Sequence, residues 1–220
     1  GSSIRSLKKV LEARGLAKEV LQARRLHSKA SADGDSAYAS SATAGLAVAA
    51  GAGGHAGQLS PLALIGEIRE WFNGPLLLSG AISTGQSVLA AQAMGADLAY
   101  IGTPFIATEE ANAVDGYKQM IAQSSADDIV YSSLFTGVHG NYLKPSIANA
   151  GMDPDNLPQS DPSAMDFSDT RNRPKSWKDI WGAGQGIGAI KELVSTESRV
   201  DQLYQEYNRA LETLWDKVNG

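Results

Sequence analysis

The chain contains no cysteine. That excludes disulfides, thiolate nucleophiles and cysteine-ligated zinc. Histidine is almost as scarce: His27, His55 and His139 are the only three in 220 residues, so no metal centre is expected. No apolar run approaches the roughly 20 residues that a membrane-spanning helix needs, and the first residues carry no secretory signal. A cytoplasmic location is the resulting expectation, with no membrane partner. An excess of basic charge is also lacking. The formal net charge is -5, which argues against nucleic acid as the main partner. What remains is ordinary for a globular chain, with 43% apolar and 20% charged residues, and the length suffices for a domain with a real core.

Two regions differ in kind. Residues 1–44 hold an amphipathic stretch, from Ile4 to about Lys29, with Leu7, Val10, Leu11, Leu16, Val20, Leu21 and Leu26 on one helical face and basic residues on the other. A low-complexity run of small and polar residues follows, Ala30 to Thr43, which has almost nothing to bury and reads as a linker. Residues 45–220 alternate strand and helix patterns.

The second region is organised around Gly51-Ala52-Gly53-Gly54-His55-Ala56-Gly57. The apolar run Gly45 to Ala50 precedes it and reads as a buried strand that leaves its sheet through a glycine loop. Glycines allow a ligand to approach backbone closely, and histidine is the side chain whose ordinary titration range suits proton transfer near neutral pH. The plain alternative is a flexible loop with an incidental histidine. Next, Ser60-Pro61 marks a helix start, Leu62 to Phe72 carries the helical period, and Leu76 to Ser79 is a short strand ending at Gly80. Gln86 to Met94 is a second helix, and Ala96 to Ile101 a third strand ending at Gly102-Thr103. Strands that alternate with helices predict parallel βα units, with the loops gathered at the carboxyl ends of the strands, where such folds bind ligands. Ser79-Gly80-Ala81-Ile82 and Gly102-Thr103 offer backbone N–H groups and hydroxyls suited to a phosphate, helped by a nearby helix N-terminus. Either loop alone is explained as well by tight strand-to-helix packing. The ordered series of three is not.

GAGGHAG, then LLLSGAISTGQSVLAAQAMGADLAYIGTPFIATEE, then WGAGQGIG together resemble the nitronate monooxygenases (2-nitropropane dioxygenases) over about Gly45 to Gly188. The resemblance implies a (β/α)8 barrel of TIM type that binds FMN. It implies that Ser79, Gly80, Ala81, Gly102 and Thr103 hold the phosphate, that Gly53 and Gly54 lie beside the flavin, that Gln185 sits on a C-terminal loop returning to the cofactor, and that His55 is the catalytic base. The implied reaction oxidises a nitroalkane or its nitronate with dioxygen to a carbonyl compound and nitrite. Family members often carry two glycines where this chain has Gly80-Ala81. A related flavin-dependent enoyl-thioester reductase, or an inactive barrel fragment with a binding or structural role, are the competing expectations.

The remaining stretches carry less chemistry. Ala107 to Gln123 reads as one helix with Glu109 and Glu110 in its first turn. Phe135 to Ile147 collects His139, Asn141, Tyr142 and Lys144 and reads as either a substrate lid or a structural loop. Trp177 and Trp181 are expected to anchor the chain ahead of the AGQG loop. Ser195 to Val218 reads as a final helix whose apolar residues pack. A complete barrel usually takes roughly 200 to 250 residues or more, and only about four strand candidates occur, so the C-terminal part of a barrel is expected. Open strand edges in such a part would favour association with further copies.

Overall fold

The structure is a computed structural model and describes residues 44–158 and 179–220. The stretch read as amphipathic helix and linker, and Trp177, lie outside these. Strand β1 (Gly45–Val48), strand β3 (Leu76–Ser79) and strand β4 (Leu98–Ala99) form a parallel sheet in the order β1-β3-β4, with Gly45 opposite Leu76 and Leu77 opposite Leu98. Among the described residues β1 and β4 each pair on one side only.

Helix α1 (Pro61–Arg69) connects β1 to β3, and helix α2 (Gly85–Met94) connects β3 to β4. The hydroxyl of Ser60 accepts the Leu62 N–H at 3.3 Å and Pro61 takes the first helical position. At α2, Thr84 and Ser87 cap each other reciprocally. Ile65, Leu76, Leu78 and Ala91 close the apolar layer between helices and sheet. Each large aliphatic side chain withdrawn from water there contributes on the order of 2 kcal/mol.

The chain after β1 does not stay in the parallel sheet. Strand β2 (Gly54–His55) joins a second, antiparallel sheet in the order β2-β6-β5, formed with strand β5 (Ile129–Ser132) and strand β6 (Gly140–Leu143). Gly54 pairs with Asn141 and His55 with Gly140. The glycine stretch read as an open loop is therefore a crossing between two sheets, and the polar stretch from Phe135 to Ile147 is neither lid nor loop throughout. It is the turn into β6, then β6 itself, fully buried, then helix α5 (Lys144–Asn149).

The region read as one helix over Ala107 to Gln123 is broken in two. A short helix α3 (Thr103–Ile106) follows β4, and helix α4 (Asp115–Gln123) comes later. Between them Thr108 bridges to Val194, and the Glu110 carboxylate accepts from both the N–H and the hydroxyl of Thr196 at 2.8 Å. Glu110 thus serves the N-terminus of the last helix, α6 (Thr196–Asn219), not that of its own. Backbone hydrogen bonds, its own first and then that from Thr196, hold its carboxyl below the usual range. Helix α6 lies against α2 so closely that a Cβ at Gly85 would stand 2.1 Å from the Tyr207 nitrogen. Only one face of α6 is used this way. Val200, Leu211, Leu214 and Trp215, expected to pack, are exposed.

Candidate functional site

The crossing from β1 to β2 and the loops after β3 and β4 meet at the carboxyl end of the parallel sheet. They enclose a cavity of about 260 Å³, closed on the far side by residues 180–184 and helix α4. Its lining includes Gly53, Gly54, Ser79, Gly80, Ala81, Gly102 and Thr103. Seven of the nine residues singled out from the sequence are therefore brought together on one surface. The other two, His55 and Gln185, flank it.

The glycines divide into two kinds. A Cβ at Gly53 would lie 2.7 Å from the Gly184 nitrogen, and one at Gly184 would lie 2.8 Å from the Gly51 oxygen. These residues are glycine because backbone packs on backbone. The Gly51 carbonyl accepts from Ala81 N at 3.1 Å and Gln185 N at 2.9 Å, and Thr103 Oγ1 accepts from Gly184 N at 3.0 Å. Four separate segments are stitched together by these contacts. At Gly54 and Gly102, by contrast, an added Cβ would meet nothing within 4 Å. Both residues line the cavity, and the space beside them is unfilled by protein. None of the hydrogen bonds among the described residues uses the N–H of Gly80, Ile82 or Gly102, and all three residues line the cavity. Unused amide donors at a cavity wall call for a partner.

The N-terminus of α2 does not supply further donors of this kind. Ser83 N and Thr84 N give to Ser87 Oγ, Ser87 N gives to Thr84 Oγ1, and Gly85 N gives to Glu206 Oε2 at 2.7 Å. The expected help from a helix N-terminus is thus already taken by the protein's own acid. Ala81, where a second glycine was expected from the resemblance, has φ 54° and is the one non-glycine residue with positive φ among the described residues.

The opposite wall is aromatic and was not foreseen as such. Tyr117 from α4 stacks on Trp181 with centroids 5.1 Å apart and planes 21° from parallel. The Tyr117 hydroxyl donates to the Gly182 carbonyl, and burial pushes its pKa up to about 12, so it remains a donor throughout the physiological range. Trp181 was expected only as an anchor, and Tyr117 sits in a helix with no local signal of function. Asn141 ties the two sheets at the crossing by donating its Nδ2 to the Ala52 carbonyl at 2.7 Å.

His55 is exposed, next in the chain to Gly54 of the cavity wall, and does not itself line the cavity. Its Nε2 lies 3.1 Å from Thr136 Oγ1. Gln185 is exposed as well, with its side chain folded over Gly51. His139 stacks on Tyr131 at 5.1 Å, and Lys144 pairs with Asp155 at 2.8 Å. Among the described residues no group of three or more acids or histidines could hold a metal ion, and no helix is long and apolar enough to cross a membrane.

Fold and cavity define an α/β protein with a largely backbone-built cavity at the carboxyl rim of a parallel sheet. Comparison with known proteins is more specific. The sequence model of the nitronate monooxygenase family matches residues 27–206, and the chain belongs to that family. It is 28% identical over 183 residues to a nitronate monooxygenase of Paraburkholderia phytofirmans, covering 76% of this chain and 50% of the relative. It is 26% identical over 174 residues to a probable nitronate monooxygenase of Bacillus subtilis, covering 70% and 49%. The chain thus spans about half the length of these curated relatives. Among solved structures, FabK from Thermotoga maritima superposes with a TM-score of 0.64 at 22% identity, covering 80% of this chain and 58% of that one. Nitroalkane oxidase from Streptomyces ansochromogenes gives 0.58 at 22% identity, covering 79% and 54%. At these identities the structures attest the shared fold.

Proposed function

We propose that the cavity receives FMN and that the chain contributes to oxidation of alkyl nitronates or nitroalkanes by dioxygen, yielding a carbonyl compound and nitrite. The observation that carries this reading is the convergence of four backbone segments on one cavity that holds unused amides and open space at Gly54 and Gly102, in a chain of the nitronate monooxygenase family. A dianionic phosphate fits the N–H groups of Gly80, Ile82 and Gly102 with the hydroxyls of Ser79 and Thr103, since backbone donors stabilise anions without a charged side chain. Gly53 and Gly54 form the wall beside the ring system, Trp181 and Tyr117 offer an aromatic face opposite, and Gln185 closes the edge. The flavin, when bound, supplies the redox chemistry.

The protein's own contribution to the chemistry is acid–base. A carbon next to a nitro group bears an acidic hydrogen, and His55 is the base assigned to remove it. A positioned base of this type contributes about 10²-fold or more. A preformed nitronate has already lost that proton and does not need the step.

The test is reconstitution. Purified full chain is mixed with FMN and passed through gel filtration, which also reports its oligomeric state. Flavin absorbance that co-elutes with protein, quenching of tryptophan fluorescence that is reduced in Trp181→Phe, and nitrite release from a nitronate are expected. His55→Ala is expected to retain FMN and nitronate turnover and to lose about 10²-fold with the neutral nitroalkane. A colourless protein would overturn the reading, and consumption of NAD(P)H without nitrite would replace it with the enoyl-thioester reductase.

A further inference from the structure

We infer that the uncovered apolar face of α6 is a docking surface for the chain's own basic segment, Ile4 to Lys29. Nothing in this pairing depends on the flavin.

Helix α6 outruns the helix that supports it. Glu206 accepts from Gly85 N at the start of α2, and the Tyr207 hydroxyl donates to Gln92 Oε1 near its end, at 2.6 Å. From Leu211 to Gly220 every residue is exposed. Val200, Tyr204, Leu211, Leu214, Trp215 and Val218 recur at three-, four- and seven-residue spacings, which sets them on one helical face. Trp215 is 69% exposed and Val218 82%. Helices in proteins are held chiefly by packing of such a face, and a projecting end gains none.

The outer border of the face is acidic. Asp201, Glu212 and Asp216 follow Val200, Leu211 and Trp215 directly and are exposed. One position along is about 100° around a helix, which puts Asp201 and Glu212 opposite the side where Glu206 and Tyr207 meet α2. A second copy would bring the same acids to this border. The segment Ile4 to Lys29 brings the opposite charge. It holds eight Lys and Arg against two Glu, a net +6. The whole chain carries -5, which leaves -11 for all its other residues. Leu7, Val10 and Leu11 before Gly15, and Leu16, Val20 and Leu21 after it, give the segment an apolar side as well. A basic amphipathic stretch suits a surface that pairs an apolar stripe with acids.

Length and reach agree. Helix α6 has 24 residues and is roughly 36 Å long. As a helix, Ile4 to Lys29 would be about 39 Å long. Ala30 to Thr43 places fourteen residues between it and Ala44. A chain of that length spans up to about 46–50 Å when extended. Tethering also makes the segment's own copy the favoured occupant over a free one.

The test is hydrogen exchange of the full chain without flavin, read by mass spectrometry over residues 208–219. Leu11→Asp with Leu21→Asp, which strips apolar contact from the segment alone, is expected to speed exchange there at least about tenfold. Exchange in α1 should stay as in wild type. Equal rates over 208–219 in wild type and variant overturn the inference. Replacing Asp201, Glu212 and Asp216 together by Lys is expected to speed exchange at least about threefold. Adding Lys8→Glu, Lys18→Glu, Arg24→Glu and Arg25→Glu to that variant is expected to restore protection. A full charge swap that restores nothing overturns the inference, since lost helix stability alone would not be rescued from the other segment. Protection is expected to be independent of protein concentration. Protection that falls on dilution would give the face to a second copy and overturn the inference too.

Discussion

The two ends of the parallel sheet are built from different materials. At the amino ends of β3 and β4 the structure is stapled by charged side chains. Arg69 donates to the carbonyls of Gly95 at 2.8 Å, Phe72 at 3.0 Å and Gly74 at 2.8 Å, and to Asp97 Oδ2 at 2.7 Å. The same Asp97 oxygen accepts the Leu76 N–H at 2.7 Å. A planar, permanently charged fork satisfies several loop carbonyls at once. At the carboxyl ends no charged side chain lines the cavity. There the segments are joined through the Gly51 carbonyl, which accepts from two backbone N–H groups, and through the Gly184 N–H, which donates to the uncharged Thr103 hydroxyl. The difference separates two tasks. Side chains that consume every local hydrogen-bonding group make a rigid base. Backbone joined through glycine leaves some amides unspent, and those can serve a ligand.

If that division holds, each end can be damaged without the other. Arg69→Met should give the largest effect, because it takes the donor from three loop carbonyls and leaves the Asp97 carboxylate with only the Leu76 N–H. A cost of about 2 kcal/mol is expected, mostly from the loop carbonyls, seen as a fall of about 4–8 °C in Tm. FMN affinity measured well below the transition should stay within about twofold. A variant that lost FMN while keeping its Tm would show that the base also shapes the rim. Gly102→Val should do the reverse. The backbone there has φ -116°, so a side chain meets no left-handed penalty, and its Cβ would meet no atom within 4 Å. The side chain would occupy ligand space. FMN affinity is expected to fall at least about tenfold, or about 1.4 kcal/mol, while Tm moves by no more than about 2 °C. Unchanged affinity would remove Gly102 from the cradle.

The rim was legible in the sequence because its signals are local. An apolar run ending in glycine, a Ser-Pro start at α1 and the Ser-Thr-Gly start of α2 each act within a few residues. The ordering of these signals located Gly53, Gly54, Ser79, Gly80, Ala81, Gly102 and Thr103, which line one cavity. What stayed hidden depends on partners far along the chain. Helical propensity runs unbroken through Ala107 to Gln123, yet the chain breaks there because Thr108 bridges to Val194 and Glu110 binds Thr196. The pairing of Gly54 and His55 with β6 is invisible for the same reason. Tyr117 has the spacing of any residue on an amphipathic helix, so nothing local marked it as cavity wall. The apolar period of α6 specified a face but not whether anything covers it.

Ala81 tests the comparison most finely, because it is where the rim departs from the glycine rule. A left-handed alanine places its Cβ against the following carbonyl, a conformation that costs about 1–2 kcal/mol. Its φ of 54° persists because neighbours hold it. Ala81 N donates to Gly51 O at 3.1 Å, and the Ala81 carbonyl stands where a Cβ on Gly186 would come within 2.4 Å. Alanine in this region is less stable than glycine by about 1 kcal/mol even after the greater freedom of unfolded glycine is counted. Ala81→Gly is therefore expected to raise Tm by about 2–4 °C. Since Ala81 also lines the cavity, FMN affinity separates strain from contact. An affinity within about twofold of wild type, together with the higher Tm, means the rim stores strain that the ligand does not use. A rise in Tm with weaker FMN binding means the left-handed alanine is kept because its side chain touches the ligand. A fall in Tm would mean that the methyl packs better than its backbone suffers, and the rim would then owe its stability to side chains, as the base does.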